Sequence, residues 1–372
     1  MTQSADRRRV LFYGGCHAQT LQRIFREYGT EPGMEYDLVV NFQIIAAGKP
    51  FPMHRIPRCR AVVMSPVLNK PGYNTDRILE ACRAAGVQTV VYPWIEWHGY
   101  HPYAVKRIFM GGKHWVHRIP AAPGLQAGED FERALSLALS DHQQVQDLLQ
   151  RTTQALRQNE ARGGCTVPLS EFILDNHRTQ RLFLTPDHAA QPLYRHLVAE
   201  VSRQIGIGIH PDYYASALEP QRGKQMPILP EVAQALKLNF MDGDFITTEG
   251  LLAGRTVHRS EYLELLGGAL LGRGLWRAST GTRLKRRPVL SAALAPDECV
   301  ELCEGDLLHV AHPATADGHL QVRPVWAHRP GSGRVSLPAW DSGYLYAQHW
   351  APLDRKSTRL NSSHSQQSRM PS

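Results

Sequence analysis

Short apolar runs and helical stripes alternate along the first hundred residues of the chain. "RRVLFY" (Arg8–Tyr13) reads as a strand. "AQTLQRIFREY" (Ala18–Tyr28) repeats Leu21, Ile24, Phe25 and Tyr28 on one face of a helix. "DLVVNFQII" (Asp37–Ile45) and "RAVVMS" (Arg60–Ser65) predict a second and third strand. "NTDRILEACRAAG" predicts a helix, with Asn74 or Thr75 as its cap and Gly86 as its stop, and "VQTVVYP" a fourth strand. Strands that are apolar throughout rather than alternating belong to a mostly parallel sheet covered by helices on both faces, so the expected fold class is α/β.

Helical patterning continues from Asp130 to about Ala161, with a break expected near Asp141. "PLSEFILDNHRTQ" is a further helix, "RLFLTPDH" a short strand and loop, and "QPLYRHLVAEVSRQIG" a helix striped by Leu193, Leu197, Val198 and Val201 that stops at Gly206. "PILPEVAQALKL" and "RSEYLELLGGALL" extend the helices to about Leu271. Residues 273–288, rich in Gly and cations, read as a linker. Short alternating strands with "ADG" and "PGSG" turns then predict a small β module over 289–353, similar to an SH3-like barrel. The expected division is therefore an α/β domain over 1–272, the linker, the β module and a tail over 354–372.

Composition changes this picture in two places. The Ser-rich stretch Arg355–Ser372, free of acidic residues, resembles translated adapter DNA and stays outside the fold. Its Arg355, Lys356, Arg359 and Arg369 supply half of the formal net charge of +8. With them set aside, the basicity that would favour nucleic acid largely disappears, and "RLKRR" has no aromatic residues interleaved with it. Six cysteines without a scaffold spacing, and no apolar run long enough to span a bilayer, predict reduced thiols in the cytoplasm. "CVELC" lacks the spacing of a zinc knuckle, and no metal is expected. A homo-oligomer is compatible with the sequence.

The candidate chemistry sits where the first strand becomes a helix, in "VLFYGGCHAQTLQRIF". Gly14 and Gly15 allow a tight turn and close approach of other groups. The helix start offers unpaired N–H groups and the positive end of a dipole, which can hold an anion, favour a thiolate or stabilise an oxyanion. Cys16 is therefore a candidate nucleophile, although a cysteine after a strand is also a common packing residue. Two further stretches are rich in chemistry. "YPWIEWHGYHPYAVKR" sets His98 and His101 among aromatic residues that could stack on a base or frame a sugar, or simply cover the sheet end. "LFLTPDHAAQPLYRHL" places Asp187 and His188 before a helix, as a base, a phosphate partner or a cap.

"GGCHAQTL", "VVYPWIEWHGYHPY", "VPLSEFILDNHRTQRLFLTPDHAAQPLYRHL" and "MPILPEVAQAL", in that order, resemble the WcbI-type family of polysaccharide-biosynthesis acetyltransferases over about residues 10–236. The family's first block reads Gly-Asn-Cys-Gln, so Gly15 and His17 stand at its amide positions, and His17 adds a base beside the thiol. The resemblance implies an acyltransferase that binds coenzyme A, takes acetyl-CoA as donor and acetylates a sugar hydroxyl of a capsular or other surface polysaccharide. On that reading Cys16, His17, His101 and His188 are catalytic. Gly14, Gly15, Gln19, Trp97, His98, Tyr100, Lys106 and Arg107 line the coenzyme site. Two alternatives stand beside it: a thiol esterase acting on acylated glycans, and a glycan-binding protein without catalysis.

Overall fold

The computed structural model describes residues 7–109, 112–117, 135–221, 225–242, 245–248, 255–258, 274–316, 319–329, 333–335, 337 and 343–352. Four parallel strands, β1 (Arg9–Gly14), β2 (Glu35–Val40), β3 (Ala61–Met64) and β4 (Gln88–Val91), form a sheet in the order β2-β1-β3-β4. Side chains alternate between its faces. Val10, Phe12, Val63 and Val90 meet Leu21, Ile24 and Phe25 of helix α1 (Cys16–Tyr28). Leu11, Tyr13, Val62 and Met64 instead meet Ile56 and, from α3 (Asp76–Ala84), Ile78 and Cys82. Both faces are buried, which is why β1 from Val10 to Tyr13 and β3 are apolar at every position.

"DLVVNFQII" divides into two elements. β2 ends at Val40, the residue opposite the last residue of β1, Gly14, and without a partner the chain turns into α2 (Asn41–Ala46). The Asn41 side-chain oxygen accepts the Phe42 amide at 2.7 Å.

The helical layer follows. Asp141 caps α4 (His142–Gly163) by accepting the Gln144 amide at 3.0 Å, where the break was expected. α5 (Ser170–Asn176), α6 (Gln191–Ile205), α7 (Pro211–Ala215) and α8 (Pro230–Leu236) complete it, and Gly206 ends α6 with φ 65°. The second half of the aromatic stretch enters an unanticipated antiparallel hairpin, β5 (Ala104–Phe109) with β6 (Gly112–His117). "RLFLTPDH" supplies the short pair β7 (Phe183–Thr185) and β8 (His188–Ala189).

Towards the C-terminus lies an eight-stranded sheet between Gly274 and Pro352, antiparallel at every pairing. Leu284, Leu308, Val322, Leu345 and Trp350 form its core. The segment read as a linker contributes two of its strands, Gly274–Ala278 and Thr282–Lys285. In the second, Leu284 points into the core while Arg283 pairs with Glu301 at 2.6 Å, an alternation masked by the cations around it. The helix expected over 259–271 and the tail lie outside the described residues. Among the described residues, no helix is long and apolar enough to cross a membrane.

Among the described residues, four histidines lie inside the α/β part: His17, His101 and His117, each at most 3% exposed, and His177 at 5%. Burial pushes the His17 and His117 pKa values down to about 4, and lowers that of His101 well below its ordinary value with help from His117 and Arg181. In the unfolded chain such rings titrate near 6.5. As pH falls from there towards 4, the unfolded chain binds protons that the folded chain refuses. Stability should therefore drop with falling pH, by up to about 1.4 kcal/mol per pH unit for each ring. Urea unfolding followed from neutral pH down to about 5 measures this slope. His117→Leu should make it shallower by one ring's share, and an unchanged slope would show that the ring is already charged in the folded protein.

Candidate active site at the carboxyl edge of the parallel sheet

The register of the sheet builds the floor of this site. Tyr13, Met64 and Val91 are the last paired row across β1, β3 and β4. The Ser65 amide then donates to the Tyr13 carbonyl at 3.1 Å and the Tyr92 amide to the Met64 carbonyl at 3.0 Å, which places Gly14, Ser65 and Tyr92 in the next row. By alternation this row faces the α1 side, where Tyr92 joins the core. The fit at Gly14 is close. A Cβ there would lie 3.1 Å from the Ala18 Cβ and 3.2 Å from the Tyr92 hydroxyl oxygen. At Gly15 a Cβ would stand 3.3 Å from the Trp94 ring.

α1 begins immediately afterwards, at Cys16. Gly15 gives it no side-chain cap and its first turn holds no acidic residue, so no side chain of this turn neutralises the positive end of the helix. β1 connects through α1 to β2 on one side and pairs with β3 on the other, so Cys16 sits at a topological switch point of the sheet. The cysteine is partly exposed between buried neighbours.

A second wall comes from the two stretches singled out above. The Trp97 amide donates to the Pro186 carbonyl at 2.8 Å and joins them. Asp187 is the hub. Its carboxylate accepts Lys106 Nζ at 2.8 Å, the Thr185 hydroxyl at 3.1 Å and the Trp115 indole N–H, and it lies 2.9 Å from His188 Nδ1. The Thr185 hydroxyl is also 2.8 Å from that nitrogen. Glu96 accepts the Trp94 indole N–H at 3.2 Å, faces His98 Nε2 at 3.3 Å and lies 4.0 Å from Lys106. The Lys106 ammonium stands 4.6 Å over the Trp115 ring.

Burial alone would push both carboxyls towards their neutral forms. His188 and Lys106 outweigh it at Asp187, holding that group well below its usual range. His98 and Lys106 likewise lower Glu96. Burial works against the Lys106 charge too, but Asp187, Glu96 and, more weakly, the Cys16 sulfur raise its pKa. The sulfur and the charged cluster thus lie within electrostatic reach of each other.

The predicted residues separate by burial. Cys16, Gln19, His98, Lys106 and His188 are partly accessible around this edge. His17 is buried, its Nδ1 2.7 Å from the Tyr194 hydroxyl, and burial keeps the ring neutral. Trp97 fills the core, donating its indole N–H to the Thr153 hydroxyl at 3.0 Å and stacking on Phe183 with ring centroids 5.2 Å apart. Tyr100 does the same, donating to the His177 and Gln180 carbonyls at 2.7 and 2.9 Å. His101 is wholly buried, 6.5 Å from the His117 ring. The side chain of Arg107 lies outside the described residues. Ser65, Tyr92, Glu96 and Trp115 belong to the site without having been singled out. The first two were within reach, because each follows the last apolar residue of its strand. Among the described residues, no group of three or more His, Cys, Asp or Glu side chains could hold a metal ion.

Comparisons with known proteins agree with this architecture. A solved structure of WcbI matches with a TM-score of 0.51 at 17% identity, covering 70% of this chain and 89% of its own. That protein is described as a novel polysaccharide biosynthesis enzyme, in a native form without the disulfide between coenzyme A and one of its cysteines. No curated protein sequence matches. The family described as polysaccharide biosynthesis enzyme WcbI matches residues 9–210, more than half of the chain and the whole stretch from β1 to the end of α6. The chain belongs to the WcbI family of polysaccharide biosynthesis enzymes.

Proposed function

We propose that the protein is an acyltransferase that accepts the acetyl group of acetyl-CoA and passes it to a sugar hydroxyl of a surface polysaccharide, with Cys16 at the reaction centre. The observation that carries this reading is the position of Cys16, partly exposed as the first residue of α1 at the switch point of the sheet. Coenzyme A enters from the solved WcbI structure, whose description pairs it with a cysteine. The residues present suit the thiol end of such a donor. A glycine pair without side chains, a helix start without a cap and an accessible sulfur leave room for a thioester carbonyl and offer N–H groups to its oxygen.

In this mechanism the Cys16 thiolate adds to the acetyl carbonyl, and the departing coenzyme A thiolate takes up a proton. His188 then deprotonates the sugar hydroxyl as it attacks the acetyl-cysteine. Asp187 and Thr185 occupy the Nδ1 side of His188, which leaves Nε2 to receive that proton. Burial argues against the other two rings. His101 has no exposed surface for an acceptor to reach, and His17 has its Nδ1 engaged at Tyr194. Lys106, held between Asp187 and Glu96, keeps Asp187 ionised in this reading, so the phosphates of the donor need other cations. The α/β domain carries the chemistry, and the C-terminal sheet is an accessory module of SH3-like character.

Intact-protein mass after brief exposure to acetyl-CoA should show one acetyl increment on the wild type and none on Cys16→Ala. An unmodified wild type that is nevertheless stabilised thermally by coenzyme A would replace the covalent route with direct transfer. Neither signal would leave the esterase or the glycan-binding protein. His188→Gln should slow steady-state turnover with monosaccharide acceptors, read as coenzyme A released beyond the first equivalent, by about 10²–10⁴-fold. Cys16 should still be acetylated in this variant, and a loss of acetylation would assign His188 to the first half-reaction instead.

A further inference from the structure

Two buried hydroxyls in the floor of the site have no hydrogen-bond partner: Ser65 Oγ and Tyr92 Oη. Ser65 is 3% exposed and Tyr92 not at all. Orphan polar atoms at such depth are costly and rare, and two of them share one row of the sheet, beside the glycine that precedes the switch-point turn. Both residues face the α1 side of the sheet and border a narrow space at Gly14. A Cβ at Gly14 would stand 3.2 Å from Tyr92 Oη and 3.6 Å from the Ser65 Cβ. Burial, reinforced by the Cys16 sulfur, raises the Tyr92 pKa far above its ordinary value, so the phenol keeps its proton and acts as a donor.

We infer that Tyr92 and Ser65 are the side-chain half of an oxyanion hole, donating to the acyl oxygen while amides at the start of α1 approach it from the other side. The assignment rests on the acyl-transfer reading above and adds to it the groups that meet the developing charge. When the Cys16 thiolate adds to the carbonyl carbon, a C–S bond forms and the π pair moves onto oxygen. That oxygen accepts the two hydroxyls. Collapse restores C=O, breaks the bond to the leaving group, and expels it with the bonding pair. The proton lost when Cys16 ionised passes to water and returns to the leaving group. Neither hydroxyl gives up its own proton, which suits a phenol held neutral by burial.

p-Nitrophenyl acetate is the test probe, because it acylates a cysteine without needing coenzyme A, and iodoacetamide is its control. Alkylation uses the same thiolate but passes through no oxyanion. Tyr92→Phe and Ser65→Ala should each slow Cys16 acylation by about 10²–10³-fold and leave alkylation unchanged. Tyr92→Phe should also melt no lower than the wild type, since it deletes a hydroxyl that has no partner to lose. Acylation at the wild-type rate in both variants, with Cys16→Ala inert, would overturn the assignment. So would an equal fall in acylation and alkylation, which would place the two groups at the sulfur instead. A wild type that alkylates but never acylates at Cys16 would remove the acyl-transfer reading, and the oxyanion hole with it.

Discussion

The pairing of β1 with β2 on one side and β3 on the other is the constraint on which the rest of the site depends. A central parallel strand must be covered on both faces, so its residues are apolar throughout and its helices divide between the two sides of the sheet. The chain leaves β1 towards one neighbour and later returns beside the other, and the main chain parts at the carboxyl end between the two routes. Whatever occupies that gap is fixed by register. Gly14, Ser65 and Tyr92 stand there because each is one residue beyond the last paired row. A slip of one residue in any strand would turn its hydroxyl to the opposite face.

Electrostatics places the second wall. Asp187, Glu96 and Lys106 are only partly hydrated, and charges in such positions are stable when each finds a partner. The cluster joins two parts of the chain distant in sequence: the stretch after β4 with the β5–β6 hairpin that follows it, and the β7–β8 turn. Its ion pairs are therefore tertiary ties. The main-chain bond from Trp97 to Pro186 fixes the spacing, while the indole of Trp115 and the ammonium of Lys106 converge on one carboxylate. Asp187 is anchored from several directions, and it orients the neighbouring imidazole through Nδ1.

Much of this could be read in the sequence, and the exceptions share a cause. β1, α1, β3, α3 and β4 were visible because burial on both faces, or along one stripe, writes itself directly into apolar spacing. α2 was hidden because "VVNFQII" is apolar whichever way the chain turns. What ends the strand is the end of its partner, a tertiary fact. The hairpin β5–β6 and the strand Thr282–Lys285 were hidden because their alternating positions carry cations and histidines, which composition assigns to loops. Trp97 and Tyr100 misled differently. Their density suggested a ligand frame, yet sequence does not say which way a ring points. Both turn inward, with their polar atoms satisfied by Thr153 and by main-chain carbonyls.

The histidines carry this logic to its end, because burial sorts residues of one type into different chemistries. His17, His101 and His117 lie where charge has been excluded, so burial holds each of them neutral. Protonating any of them opposes the fold. His188 shares none of this. It is 13% exposed, and the ionised Asp187 carboxylate lies 2.9 Å from its Nδ1. Histidines look interchangeable in a sequence, but burial separates the three neutral interior rings from His188, which keeps a partly accessible side chain beside a carboxylate.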